Sequence, residues 1–202
     1  MPDQLALPQL TVANAHFITP RLVIGGDLDY WDLEHAYRQL SELASAGVTH
    51  IVDARCEASS EDFVARFAPP ISYLHHGMDD AGQVVPGEWF DVGVGFVLDA
   101  LTDPAAVVLT HCHMGINRGP SLGFAVLLAL GWDAVEALDV IRQTRPIAAI
   151  AYAEDALRWC HDRTGVPLAD RRADQERLAQ WRIDNDLDAE SIIRVTRETE
   201  GT

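Results

Sequence analysis

Apolar positions along this chain alternate between short dense bursts and longer spaced stripes. The bursts at 16–19, 22–26, 48–53, 71–75 and 106–111 have the length and composition of strands. Between them, Leu33, Tyr37, Leu40 and Leu43 recur at helical spacing, which predicts a helix over 30–46 with Asp27 or Asp29 as its cap and Gly47 as its stop. A short acidic-started helix from Ser59 or Ser60 to Phe67 ends at Pro69-Pro70. Another begins near Pro86 and carries Trp89, Phe90, Val94, Val97, Leu98 and Leu101 on one stripe. Helices are expected over 120–130, 133–144 and 152–163. Strands alternating with helices predict an α/β fold with a largely parallel central sheet flanked by helices.

Two ends depart from this pattern. Residues 1–14 have no period and read as an extended arm of a domain spanning 1–167. Residues 168–202 are highly charged, with sparse apolar positions at Leu178, Trp181, Ile183, Leu187, Ile192, Ile193 and Val195. They predict a helical C-terminal extension, one helix near 170–184 and another near 188–198, that packs on the domain or supports a homodimer.

Composition changes the picture in one respect. The chain of 202 residues carries a net charge of −16, and all of its 15 basic residues are arginines. Such a surface repels nucleic-acid backbones and anionic membranes, so neither is expected as a partner, and an anionic ligand needs a strong local basic site. Three irregularly placed cysteines and the lack of a basic-then-apolar leader point to a reducing, cytoplasmic setting.

Residues 111–121 supply that local site. A predicted strand runs into His111-Cys112-His113-Met114-Gly115-Ile116-Asn117-Arg118-Gly119-Pro120-Ser121, and a predicted helix leaves it. A strand, a glycine-bearing loop and a helix start make an anion cradle of backbone N–H groups aided by the helix dipole. A cysteine held in such a cradle reacts as its thiolate. An arginine at the end of the loop offers a planar fork to two oxygens of a tetrahedral anion. Nucleophile and anion receptor in one turn read as phosphate-ester chemistry.

The Cys112-x5-Arg118 loop with Gly115 midway resembles the signature loop of the protein tyrosine phosphatase superfamily, in its small dual-specificity branch. Residues 48–53, Tyr73-Leu74 and the later run from Ala137 through Arg142 and Arg145-Pro146-Ile147 resemble that branch in order and spacing, so the likeness covers about residues 17–163. It implies that Cys112 attacks phosphorus and forms a phosphocysteine, without metal or organic cofactor. It also implies that His113, Met114, Gly115, Ile116, Asn117 and Arg118 bind the phosphoryl oxygens, and that His111 orders the loop. A general acid is then required on a facing loop; Asp80 is preferred and Asp79 is the neighbouring alternative. Cys56 is a candidate partner for reversible protection of Cys112 by a disulfide.

One departure matters. The position after the arginine, commonly Ser or Thr in that family, is Gly119 here. The missing hydroxyl predicts slow breakdown of the intermediate, partly relieved if Ser121 substitutes, and predicts that Gly119→Ser speeds release. The expected function is hydrolysis of phosphomonoesters, phosphotyrosine and with it phosphoserine/threonine. The alternatives are a phospho-binding pseudophosphatase with little turnover and an RNA 5′-triphosphatase-like enzyme, the latter from the Gly115-x-Asn117-Arg118 sequence. A phosphoinositide speciality is disfavoured because the loop has no lysine. A metal site among His75, His76, His111, Cys112 and His113 is not expected, because adjacent strand residues project to opposite faces.

Overall fold

The computed structural model describes residues 7–188 together with 192 and 194. Strands β1 (Ala15–Thr19), β2 (Leu22–Gly25), β3 (His50–Arg55), β4 (Ser72–Met78) and β5 (Val108–His111) form one five-stranded sheet in the order β1-β2-β5-β3-β4. β1 pairs with β2 antiparallel, and the other pairings are parallel. The expected largely parallel α/β architecture is present.

Alternation along the strands divides the core. Leu22, Ile24, Val52, Ala54 and Val108 face a large cluster that includes helices α3 (Gly87–Ala100), α4 (Arg118–Ala129), α5 (Ala134–Thr144) and α6 (Ala153–Thr164). Val23, Ile51 and Leu109 face the other side, packed with α1 (Leu33–Ser45) and α2 (Glu61–Phe67). This is the period-two rule acting on a sheet covered on both faces. Helix α4 is the inner pillar: every residue from Arg118 to Leu128 is buried.

Three boundaries differ from the sequence expectation, each for a local reason. Helix α1 starts later than predicted because Asp32, not Asp27 or Asp29, caps it by accepting from the amides of Glu34 and His35. Asp29 instead closes the preceding turn by accepting from Trp31 and Asp32 N–H. Leu33 and Tyr37, expected on the buried stripe, are exposed; Ala36, Gln39, Leu40 and Leu43 are the buried positions. β3 and β4 run on to Arg55 and Met78 because those residues pair across a local irregularity. That extension carries the β4 end up to the mouth of the Cys112 loop.

Helix α7 (Leu168–Asp184) matches the first predicted helix of the extension. It buries Leu178 and Trp181 in the larger core cluster, while Ile183 stays exposed. Trp181 Nε1 donates to Asp139, and Arg177 grips Asp133, the cap of α5. The helix expected over 188–198 falls largely outside the described residues. No helix among the described residues is long and apolar enough to cross a membrane.

Candidate active site

Cys112 leaves the end of the central strand β5, and the loop after it is held in shape from outside. The carbonyl of His113 accepts from Asp27 N–H, and the carbonyls of Met114 and Gly115 accept from the Arg145 guanidinium at 2.8 and 2.6 Å. The carbonyl of Ile116 accepts from Ala149 N–H at 2.7 Å. Because C=O and N–H of one planar peptide point in opposite directions, drawing these oxygens outward turns the following amides toward the middle of the loop. Gly115 adopts φ +65, and a Cβ there would meet Arg145 and the Gly25 backbone at 2.4 Å. Only glycine fits that corner. Arg145, wholly buried and without a carboxylate partner among the described residues, has its pKa lowered to about 10 by burial.

A cavity of about 340 Å³ opens over this loop, lined by Glu57, Asp80, Cys112, His113, Met114, Ile116, Asn117, Arg118, Ala149 and Ala151. It gathers Cys112, Arg118 and Asp80, three residues singled out in the sequence as catalytic. A larger cavity, about 490 Å³, lies between α1 and the α2–β4 connection; Leu40, Ala44, Phe67 and Pro70 line it with no ionisable side chain. The smaller one, with its thiol and charged side chains, is the candidate site.

Arg118 is almost fully buried. Its Nη1 and Nη2 donate to the two Glu57 carboxylate oxygens, each at 2.7 Å, and Nη1 also reaches the Met78 carbonyl. Burial disfavours the charged guanidinium, but Glu57 outweighs it and the pKa rises. Arg118 in turn, the largest influence on Glu57, holds its pKa at about 2. Arg118 Nε is different. It makes no hydrogen bond, and its nearest acidic neighbour is Asp80 Oδ2 at 3.5 Å. A buried guanidinium nitrogen with unused hydrogen-bonding capacity is costly unless an acceptor comes to it.

Asp80 lines the same cavity. Its Oδ1 accepts from Asn117 Nδ2 at 2.6 Å and from the Tyr152 hydroxyl at 2.9 Å. Asp79 does not line the cavity; it accepts from the Cys56 thiol. Cys56 is exposed, and the Asp79 carboxylate, then burial, push its thiol pKa up. Cys56, Cys112 and Cys160 are all free thiols. His111 is buried, with Nδ1 at 3.3 Å from the Cys112 carbonyl oxygen, and burial lowers its pKa.

Gly119 acquires a steric meaning the sequence does not reveal. A Cβ at this position would sit 2.8–3.0 Å from the backbone of His111 and Cys112. The first turn of α4 lies directly on the end of β5, and a serine would force them apart. Ser121 is buried and faces Asn117 and Tyr152: its Oγ lies 3.3 Å from Asn117 Oδ1 and accepts from Tyr152 N–H.

Behind the loop runs a polar network absent from the sequence expectation. Arg55 grips Asp53 through Nε and Nη2 at 2.8 and 2.7 Å, and reaches Asp27 and Ser60. Asp27 also meets His113 Nδ1 at 2.9 Å, tying the loop to β3. Burial opposes ionisation of Asp53, but Arg55 prevails and its pKa falls to about 2. Beside His113 the mouth continues into clefts lined by Asp27, Tyr30, Arg55, Trp31 and His35. Trp31, whose exposure of 88% is the highest among the exposed large apolar residues, was not marked by any spacing. Glu57, Arg55 and Tyr152 were also missed. His75 and His76 bond to the carbonyls of Arg55 and Trp89, and no group of metal-ligating side chains occurs among the described residues.

No family model matches the chain. It is 30% identical over 120 residues to the human dual specificity protein phosphatase 13B, covering 56% of this chain and 59% of that protein. Human DUSP28 superposes with a TM-score of 0.60 at 18% identity, covering 79% of this chain and 99% of that one. The structure of PTPMT1 in complex with PI(5)P gives 0.60 at 18% identity, covering 75% and 97%. The chain is similar in sequence to a dual specificity phosphatase and shares the fold of DUSP28 and PTPMT1. The sheet order places Cys112 beyond the carboxyl end of the central strand, where ligands bind in open α/β sheets. The chain spans less than two thirds of the curated human relative, and α7 lies beyond the region where the superfamily likeness was read from sequence.

Proposed function

We propose that this protein is a cysteine-dependent phosphatase that hydrolyses phosphomonoesters, phosphotyrosine and with it phosphoserine/threonine, through a phosphocysteine intermediate. The observation that carries the proposal is the buried Arg118, whose Nε lacks a hydrogen bond in the cavity that also holds Cys112 and Asp80. A phosphoryl oxygen at Nε satisfies the orphaned donor, and the loop amides receive the remaining oxygens.

In the first half-reaction Cys112 Sγ attacks phosphorus in line as the bond to the ester oxygen breaks. Asp80 gives its proton to that departing oxygen, which takes the bonding pair. In the second, water attacks the phosphocysteine, Asp80 takes the water's proton, and the thiolate leaves. Asp80 is preferred over Asp79 because it lines the cavity beside Arg118. The likeness to a human dual specificity phosphatase supports the same reaction class.

Turnover of 4-nitrophenyl phosphate tests the proposal. Wild type is expected to release nitrophenol continuously and Cys112→Ser to release none. Phosphate binding without turnover in the wild type would instead identify a phospho-binding protein.

A further inference from the structure

We infer that Tyr152 is a positioning residue for the general acid: its hydroxyl latches the 79–83 loop over the cavity and directs which oxygen of Asp80 carries the transferable proton. This rests on the reading of Asp80 as the acid. Tyr152 is the N-cap of α6, far from Asp80 in sequence, and its side chain is buried. Its hydroxyl lies 2.9 Å from Asp80 Oδ1 and 3.3 Å from Gln83 Oε1, and accepts from Gly82 N–H at 3.3 Å. One phenol therefore touches three residues of the acid loop. Gln83 closes the same loop on itself, donating to the Asp79 carbonyl and accepting from Ala81 N–H.

The two oxygens of Asp80 become unequal as a result. Oδ1 receives two donors, Asn117 Nδ2 and the Tyr152 hydroxyl, so it is the oxygen on which negative or carbonyl character is stabilised. Oδ2 is beside Arg118 Nε, where the phosphoryl group is expected. The proton of the neutral acid is thus steered to Oδ2, the oxygen near the leaving group. Burial, then the bond to Asp80, raises the Tyr152 pKa to about 12, so the hydroxyl keeps its own proton through the neutral range and acts as a donor.

Tyr152 is itself held rigidly. Ala149 N–H donates to the Ile116 carbonyl, Ala151 N–H to Asn117 Oδ1, and Tyr152 N–H to Ser121 Oγ. Ile150 takes φ +53, a left-handed turn rare for a β-branched residue. From the C-terminal helix, Arg182 donates to the Ile150 carbonyl at 2.9 Å and grips Glu154. Helix α7 therefore braces the segment that carries the latch.

Leaving-group dependence separates this role from a general structural one. A good leaving group needs little protonation; phenol, with a pKa of about 10, needs much more. Tyr152→Phe keeps the ring and removes the latch. It is expected to lower kcat/KM about tenfold for phenyl phosphate and under about threefold for 4-nitrophenyl phosphate. The ratio comes from one sample, so a loss of folded enzyme cancels. Asp80→Asn should show the same discrimination more strongly, and adding Tyr152→Phe to it should change nothing further. Equal losses on both substrates, or none, in Tyr152→Phe alongside strong discrimination in Asp80→Asn overturn the latch and leave Asp80 as the acid. If Asp80→Asn also fails to discriminate, the acid assignment itself falls and the latch with it.

Discussion

Arg55 and Arg118 are two buried arginines, each gripped in bidentate fashion by a carboxylate, and they serve opposite ends. Arg55 spends its nitrogens on Asp53, Asp27 and Ser60, so each of the three already has an acceptor. Arg118 is held just as firmly by Glu57, but its Nε stays unsatisfied and is part of the wall of an open cavity. Their partners differ too: Asp53 is wholly buried, whereas the Glu57 side chain is about half exposed. Saturation makes Arg55 a structural tie; in the proposed mechanism the unused donor beside Cys112 makes Arg118 a phosphoryl receptor.

The contrast is sharpest when each arginine is removed. Arg118→Met is expected to lower kcat/KM by about 1,000-fold or more with little loss of stability, since Glu57 can turn to water. Arg55→Met should do the reverse, costing about 3–5 kcal/mol because Asp53 is left buried without its partner, while the protein that remains folded keeps turning over. Urea midpoints and steady-state rates on both variants check the pair; equal losses of activity per folded molecule would erase the distinction.

Gly119→Ala sharpens the contrast at the loop itself. The added Cβ meets the His111–Cys112 backbone at 2.8–3.0 Å, and overpacking of this kind costs about 1–3 kcal/mol. Gly119→Ser carries the same clash, so it is expected to lose stability without faster release of phosphate, contrary to the expectation from the motif alone. Differential scanning calorimetry and single-turnover decay of the intermediate read both effects.

The smallest effect is an acid titration. The pKa of Asp53 falls from 3.8 in the unfolded chain to about 2 in the folded protein. A depressed carboxyl contributes stability that is fully present above about pH 4 and is lost as pH falls toward 2, here about 2 kcal/mol. Stability followed between pH 5 and pH 2 should decline with this component in wild type and lack it in Asp53→Asn, measured relative to each protein's own value at pH 5.

Much of this was legible in the sequence because it is local. Strand bursts, helical stripes and the Cys112-x5-Arg118 spacing each lie within one element or one turn, and short-range periodicity reports them directly. Asp80 was preferred because its loop precedes the helix and strand that lead to Cys112 at a spacing that resembles the phosphatase pattern. Glu57, Arg55 and Tyr152 were not legible, since their roles depend on segments brought together only by the sheet order and by α6. Arg55 looks like the polar end of a strand until β4 and the Asp27 turn close over it. Gly119 looked like a missing hydroxyl because a motif records side chains and not the distance between two backbones.

The most direct measurement is acid-quenched mass spectrometry of Asp80→Asn after brief mixing with phenyl phosphate or a phosphotyrosine peptide. A phosphoryl group is predicted on the peptide containing Cys112, absent when Cys112 is also changed to Ser and reduced when Arg118 is changed to Met. Continued wild-type turnover with no adduct on Cys112, and with Cys112→Ser equally active, would contradict the assignment of this loop as the site of phosphoryl transfer.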